Sequence, residues 1–181
     1  MTERVIAGTG RDSRADPAME ARVTADGLLR FAGQSYRAAL GRSGVSAQKQ
    51  EGDGATPVGR LPLRRILYRA DRVRRPRTSL PTMPLAPDDG WCDDPAHADY
   101  NRMVRRPHPA RHEALWRSDA VYDVIGVLGW NDDRPIPGRG SAIFLHVARP
   151  DMAPTEGCVA LSSPDLLALL EGGLTALIVE T

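Results

Sequence analysis

A chain of 181 residues and 19.7 kDa, 41% hydrophobic and 26% charged, has the size and balance of one folded domain, which excludes collagen-like, coiled-coil and wholly disordered chains. A formal net charge of +1 removes any global electrostatic case for nucleic acid or a membrane surface. The basic residues are almost all arginine: Lys49 is the single lysine, and 24 minus 1 leaves 23 arginines, rigid forks suited to carboxylates and phosphates.

The first 25 residues are polar and lack lasting periodicity, apart from a short β-like run at 4–7, and read as a loosely held lead-in. No secretory-type apolar run opens the chain and no stretch approaches the ~20 apolar residues of a membrane span, so a soluble protein is expected. Residues 28–31 and 36–40 are β-like runs flanking Gly33-Gln34, which reads as a hairpin. Glycines 41, 44, 52, 54 and 59 with Pro57 make 41–59 a loop, and 64–68 then reads as a strand.

Between 76 and 112 the chain forms a Pro-rich insert, with seven prolines from Pro76 to Pro109. Proline fixes φ and removes a donor, so regular elements are not expected there. Trp91, Tyr100 and several acids nevertheless argue for an ordered cover or a site wall rather than a disordered loop. A short helix is expected at 111–117. Apolar runs at 121–130, 142–147 and 158–161 read as strands. Ser162 or Ser163 caps a helix with Pro164 in its first turn and an apolar face at Leu166, Leu167, Leu169 and Leu170; Gly172-Gly173 stops it, and 174–180 closes the chain as a strand. The sum is a mainly β domain with one or two short helices.

Cys92 and Cys158 are too few for a disulfide scaffold or a four-cysteine zinc site, and CxxC and HExxH are absent, so neither metal nor cofactor is expected. Both thiols are expected to be free. The sharpest local feature is Thr155-Glu156-Gly157-Cys158. A glycine before a cysteine at a turn lets backbone approach a substrate and lets amides converge on one point. A thiol needs a base to become nucleophilic, and His146 lies on a neighbouring apolar run. Antiparallel strands joined by 148–157 would bring them together. Taken alone, this pairing does not separate a catalytic dyad from a buried cysteine beside a satisfied core histidine.

Other patterns carry less. Eight arginines between Arg60 and Arg77, opposed only by Asp71, read as a solvated face or a face toward an anionic polymer; with one aromatic, Tyr68, they do not read as a nucleic-acid site. His97, His108 and His112 read as surface histidines, and Asp93-Asp94 and Asp132-Asp133 as turn or cap residues.

Ser141-Ala142-Ile143-Phe144-Leu145-His146, followed by Pro154-Thr155-Glu156-Gly157-Cys158-Val159-Ala160-Leu161, resembles the active-site signature of the YkuD-type L,D-transpeptidase catalytic domain. Thr56-Pro57-Val58-Gly59 matches that family's Thr-Pro-x-Gly segment, and the C-terminal Gly-x-x-x-Leu-Ile-Val strand fits too, so that the likeness spans about 26–181. The resemblance implies a β-sandwich-like domain. It makes Cys158 the nucleophile, His146 the base and then the acid, and the amides around Gly157-Cys158 the oxyanion donors, with a backbone carbonyl orienting the imidazole. Thr155 stands at the family's Ser/Thr position. The chain departs from the family pattern at Glu156, where a second histidine is common, at Val147 and Ala160, and in a shorter His-to-Cys interval.

The implied substrate is a peptidoglycan stem peptide, cut between an L- and a D-centre and resolved by an amine of a second stem. The Pro-rich insert resembles a compact branch able to make 1,3 links. Hydrolysis by a cytoplasmic L,D-carboxypeptidase and a non-catalytic peptidoglycan-binding module are the alternatives. A periplasmic monomer is expected, with a cytoplasmic location as the alternative. Trp91, Tyr100, Asn101 and Arg102, and more weakly Arg139, are the expected substrate contacts, since aromatics stack on sugars or stems and arginine pairs with carboxylates.

Overall fold

The computed structural model describes residues 19–181. In chain order the elements are β1 (Glu20–Val23), β2 (Leu28–Phe31), β3 (Gln34–Arg37), β4 (Val45–Ser46), β5 (Thr56–Pro57), β6 (Gly59–Tyr68), β7 (Thr82–Pro84), β8 (Asp89–Cys92), β9 (Arg102–Arg105), β10 (His112–Ala114), β11 (Val124–Leu128), β12 (Phe144–Val147), β13 (Val159–Leu161), α1 (Ser163–Glu171) and β14 (Ala176–Val179). The mainly β class holds, with a single α-helix among the described residues. The β-like run at 4–7 lies outside them.

Among the described residues nine strands form the main sheet, in the order β13-β12-β11-β6-β14-β1-β2-β3, with β7 beside β6. The long β6 joins its two halves. Residues 59–62 pair with β14, whereas 63–68 pair with β11, with a register irregularity at Val127/Leu128. The sheet turns there, and apolar residues of both halves close on one core. Leu61, Leu177 and Val23 from one half meet Ile66, Leu145 and Leu161 from the other, with Leu166, Leu169 and Leu170 of α1 among them. Helix α1 is held as its sequence requires: Ser162 is the N-cap and its side chain accepts from the Asp165 amide, a proline follows, and the Gly172 amide donates to Ala168.

The second core explains the site. All five residues of β11 and all four of β12 are buried, because this half of the sheet is covered on both faces. Leu145, Val147, Val159 and Leu161 face the first core. Phe144 and Cys158 face the second, with Leu67, Ile125, Trp91, Leu115 and Tyr122. That second cover is the Pro-rich insert.

The insert is more regular than its prolines suggest. β10, β8 and β9 form a three-stranded antiparallel sheet. The prolines fall in the turns and at the end of β7, where no ladder donor is lost. β8 is buried along its whole length, so both of its edges need backbone partners. This is why 111–117 is not helical: His112, Glu113 and Ala114 pair with Cys92, Trp91 and Gly90, leaving Leu115 to pack in the second core.

Four further expectations are corrected. Residues 20–23 are not loose lead-in: β1 pairs in parallel with β14 at the centre of the sheet. The hairpin turns at Ala32-Gly33, both at positive φ, so its second strand begins at Gln34 and ends at Arg37. The strand expected at 64–68 starts at Gly59, and the loop before it contains β4 and β5. Finally, β12 and β13 are parallel, not antiparallel; 148–158 crosses over between them, and the free side of β13 is covered by an antiparallel bridge from Ala39 to Ala160.

Candidate active site

The parallel register still delivers the expected pair. His146 lies opposite Ala160, and Cys158 is two residues before Ala160. Side chains alternate along a strand, so the imidazole and the thiol stand on one face of adjacent strands. Both line a cavity of about 640 Å³. The residues are 7% and 8% exposed, which leaves each shielded but in reach of that opening.

Backbone groups position the thiol. The Phe144 amide donates to Sγ at 3.4 Å, and the thiol donates to the Ala142 carbonyl at 3.3 Å. Burial pushes its pKa up to about 12, Glu113 adds to the rise, and the Phe144 amide opposes it. The imidazole's Nδ1 lies 2.9 Å from the Val147 carbonyl, which fixes the proton there and leaves Nε2 as the acceptor. Burial lowers the pKa of His146 to about 4, against the Val147 carbonyl, which favours the cation. At rest the pair is therefore a neutral thiol and a neutral imidazole with no hydrogen bond between them. Proton transfer has to accompany attack on a substrate rather than precede it. Tyr122 stands edge-on to both His146 (5.5 Å) and Phe144 (6.0 Å) and limits rotation of the ring.

The turn before Cys158 is built on Thr155 and Gly157. The Thr155 hydroxyl donates to the Cys158 carbonyl at 2.7 Å and accepts the Gly157 amide at 3.1 Å. Gly157 has φ +133°, and a Cβ there would lie 2.8 Å from the Ala55 carbonyl oxygen, so only glycine fits. The Gly157 amide, expected as an oxyanion donor, is occupied by Thr155 in the free protein. Thr56, from the Thr-Pro-x-Gly segment, is fully buried; it accepts the Gly41 amide at 2.9 Å and reaches the Cys158 carbonyl at 3.4 Å.

The remaining expected contacts lie elsewhere. Trp91 is 5% exposed, packs edge-on to Phe144 at 5.2 Å and donates to Asn101 Oδ1 at 2.9 Å. Asn101, at φ +58°, also accepts the Ala142 amide at 3.0 Å and donates to the carbonyls of Trp130 and Asn131. It therefore fixes the turn whose carbonyl receives the thiol proton. The Tyr100 hydroxyl donates to Glu51, which raises its pKa together with burial, the larger cause. Arg102 lines a separate cavity with Arg64, Arg65 and Trp91, and Arg139 lies over the Trp130 ring at 5.8 Å. None of these five is among the residues that line the cavity of Cys158 and His146; from the expected set, only Thr155 joins the pair there.

Sequence reasoning missed Lys49, Glu113, Arg117, Tyr122 and Arg149 in that cavity. Lys49 carried a signal as the single lysine; it is 6% exposed, bridges to Asp53 and donates to the Gln50 carbonyl at 2.8 Å. Glu113 reaches the cavity because β10 pairs with β8, Arg117 and Tyr122 come from the segment between β10 and β11, and Arg149 from the crossover after β12, a meeting that no local pattern foretells.

Of the Arg60–Arg77 run, five arginines are paired: Arg60 with Glu20, Arg64 with Asp132, Arg69 with Asp71, Arg72 with Asp123 and Arg77 with Glu171. Most of the run is thus charge-compensated. Both cysteines are free. Outside the cavity, ligand atoms of His97, Asp99 and His108 lie within 4.8 Å of one another. Each histidine's Nδ1 already accepts a backbone amide, from Asp99 and Ala110 respectively. No described helix is long and apolar enough to cross a membrane.

No curated protein matches the chain significantly. A family profile does: that of the L,D-transpeptidase catalytic domain, YkuD, aligns with residues 7–172, nearly the whole chain. A fold rich in β-strands and a cysteine-dependent acyl-transfer chemistry are the properties of that family, and the chain belongs to the YkuD family of L,D-transpeptidase catalytic domains.

Proposed function

We propose that this protein is a peptidoglycan L,D-transpeptidase acting in the cell envelope, with Cys158 as nucleophile and His146 as base. The observation that carries this reading is the shared cavity face of a thiol and an imidazole whose Nε2 is free to accept a proton. As Sγ bonds to the carbonyl carbon of the residue at the L-centre, its proton passes to Nε2. The imidazolium then protonates the departing amine of the D-residue, leaving a thioester. An acceptor amine attacks the thioester, the new amide forms and the thiol is released with its proton. The oxyanion of each tetrahedral intermediate needs converging donors, and the Gly157 amide becomes one once it leaves the Thr155 hydroxyl. A cavity lined by cations (Lys49, Arg111, Arg117, Arg149) and acids (Glu51, Asp93, Glu113, Glu156) suits a peptide that carries both carboxylates and an amine.

The test is incubation with purified disaccharide-tetrapeptide, read by mass spectrometry. Cross-linked dimers are expected from the natural protein and none from Cys158→Ala. Shortened monomers with free D-alanine and no dimers would replace transfer with hydrolysis, and conversion that survives Cys158→Ala would remove the mechanism. A carbapenem is expected to add covalently to the natural protein and not to the variant.

A further inference from the structure

Glu113 has no place in the thiol–imidazole chemistry, yet it lines the same cavity as Cys158. It projects from β10, where its backbone pairs with Trp91. Its Oε1 accepts the Tyr122 hydroxyl at 2.6 Å, and no donor among the described residues serves Oε2. Tyr122 in turn packs against His146 and shares the second core with Cys158.

The other acids of the cavity are better compensated. Asp93 is paired with Arg111 at 3.0 Å and Glu156 with Arg42 at 2.6 Å, while Glu51 takes hydroxyl donors from Tyr100 and Ser141. The neighbouring cation, Arg117, favours the charged form of Glu113 through space but gives it no hydrogen, being turned to Asp119, which it holds through Nε at 2.8 Å and Nη2 at 2.6 Å. Glu113 is thus a partly buried carboxyl with one neutral donor. Burial raises its pKa, and its negative charge helps to hold the Cys158 thiol protonated. A carboxylate that opposes the formation of the nucleophile is a liability unless something neutralises it. The missing element is a positive group with a hydrogen to give to Oε2.

We infer that Glu113 is the anchor for an ammonium group of the substrate, and that its occupation by that ammonium favours ionisation of Cys158. The inference rests on the acyl-transfer reading of the cavity, where the peptide brings the amine. Linkage makes the effect reciprocal: if the carboxylate disfavours the thiolate, the cation that screens it must favour the thiolate. The free protein keeps its sulfur quiet, and the correct substrate relieves the restraint.

The experiment follows alkylation of Cys158 by iodoacetamide at pH 8, read from the mass of the peptide that contains Cys158, which separates it from Cys92. Glu113→Gln is expected to be alkylated about three- to tenfold faster than the natural protein, as follows from a thiol pKa lower by roughly half to one unit. Propylammonium chloride, against potassium chloride at equal ionic strength, is expected to speed alkylation of the natural protein about twofold or more and to leave Glu113→Gln unaffected. An equal or slower rate for Glu113→Gln, or no response of the natural protein to propylammonium, overturns the inference. If Glu113→Gln does not fold, as judged by its circular dichroism melt, the propylammonium response of the natural protein decides alone. Neither arm uses a stem peptide. A propylammonium response without stem conversion therefore sinks the peptidoglycan reading and keeps the anchor; stem conversion without a response does the reverse.

Discussion

The state of His146 at neutral pH decides whether it serves as a base, and it leaves a signature in stability. The ring is 7% exposed, and burial takes its pKa from 6.5 to about 4 in the folded chain. Above pH 6.5 the imidazole is neutral in both states and this burial has no protonation cost. Below it the unfolded chain takes up a proton that the folded chain refuses until about pH 4. Stability is therefore lost as pH falls through that window, at about 1.4 kcal/mol per pH unit and about 3 kcal/mol in all. Other carboxyl groups titrate in the same range, so the measurement is a difference. Urea unfolding of the natural protein and of His146→Gln is compared at pH 7.5 and pH 4.5. Glutamine keeps a donor for the Val147 carbonyl and cannot titrate. The natural protein is expected to lose about 2.5 kcal/mol more than the variant between the two pH values. A difference between the proteins that stays constant within about 0.5 kcal/mol would refute the reasoning, since the ring would then titrate as an ordinary exposed histidine.

Three further outcomes follow from the geometry. Gly157→Ala places a Cβ 2.8 Å from the Ala55 carbonyl oxygen at φ +133°, so thermal unfolding is expected to show a loss of about 1–3 kcal/mol, with acyl-transfer activity falling with it. Asn101→Ala removes the shared acceptor of the Trp91 indole and the Ala142 amide, and a loss of about 2–4 kcal/mol is expected in urea unfolding; an unchanged midpoint with a raised KM would instead make Asn101 a substrate contact. Thr155→Val leaves the Gly157 amide without its acceptor and the Cys158 carbonyl without its closest side-chain donor; a loss of about 1–2 kcal/mol is expected, together with slower acylation by a carbapenem, because the turn that aims the Gly157 amide loosens.

What could be read from the chain was what local pattern controls. Helix α1 was legible because Ser162, Pro164 and Gly172 mark its ends and leucines mark its face. β11 and β12 were legible because burial on both faces leaves a continuous apolar run. His146 and Cys158 were legible through the motifs around them. β1 was not, because Glu20 and Arg22 alternate with Ala21 and Val23 over only four residues and the partner, β14, lies far along the chain. The insert was misread for a different reason. Its prolines suppress strand expectation, yet the buried β8 draws β9 and β10 onto its edges. The direction of β13 relative to β12 depends on the whole sheet, not on the loop between them. Glu113 and Tyr122 had no signal at all: they meet only when β10 and the segment before β11 are both in place.

Asn101 gives the insert a meaning beyond that of a lid. Its single amide group ties β8, through the Trp91 indole, to Ala142, whose carbonyl cradles the sulfur. Cover and reactive centre are thus mortised together rather than laid one on the other. Exchanging this insert for that of a relative would not merely trade one specificity for another. It would also unseat the nucleophile, so the two parts must change in concert or not at all.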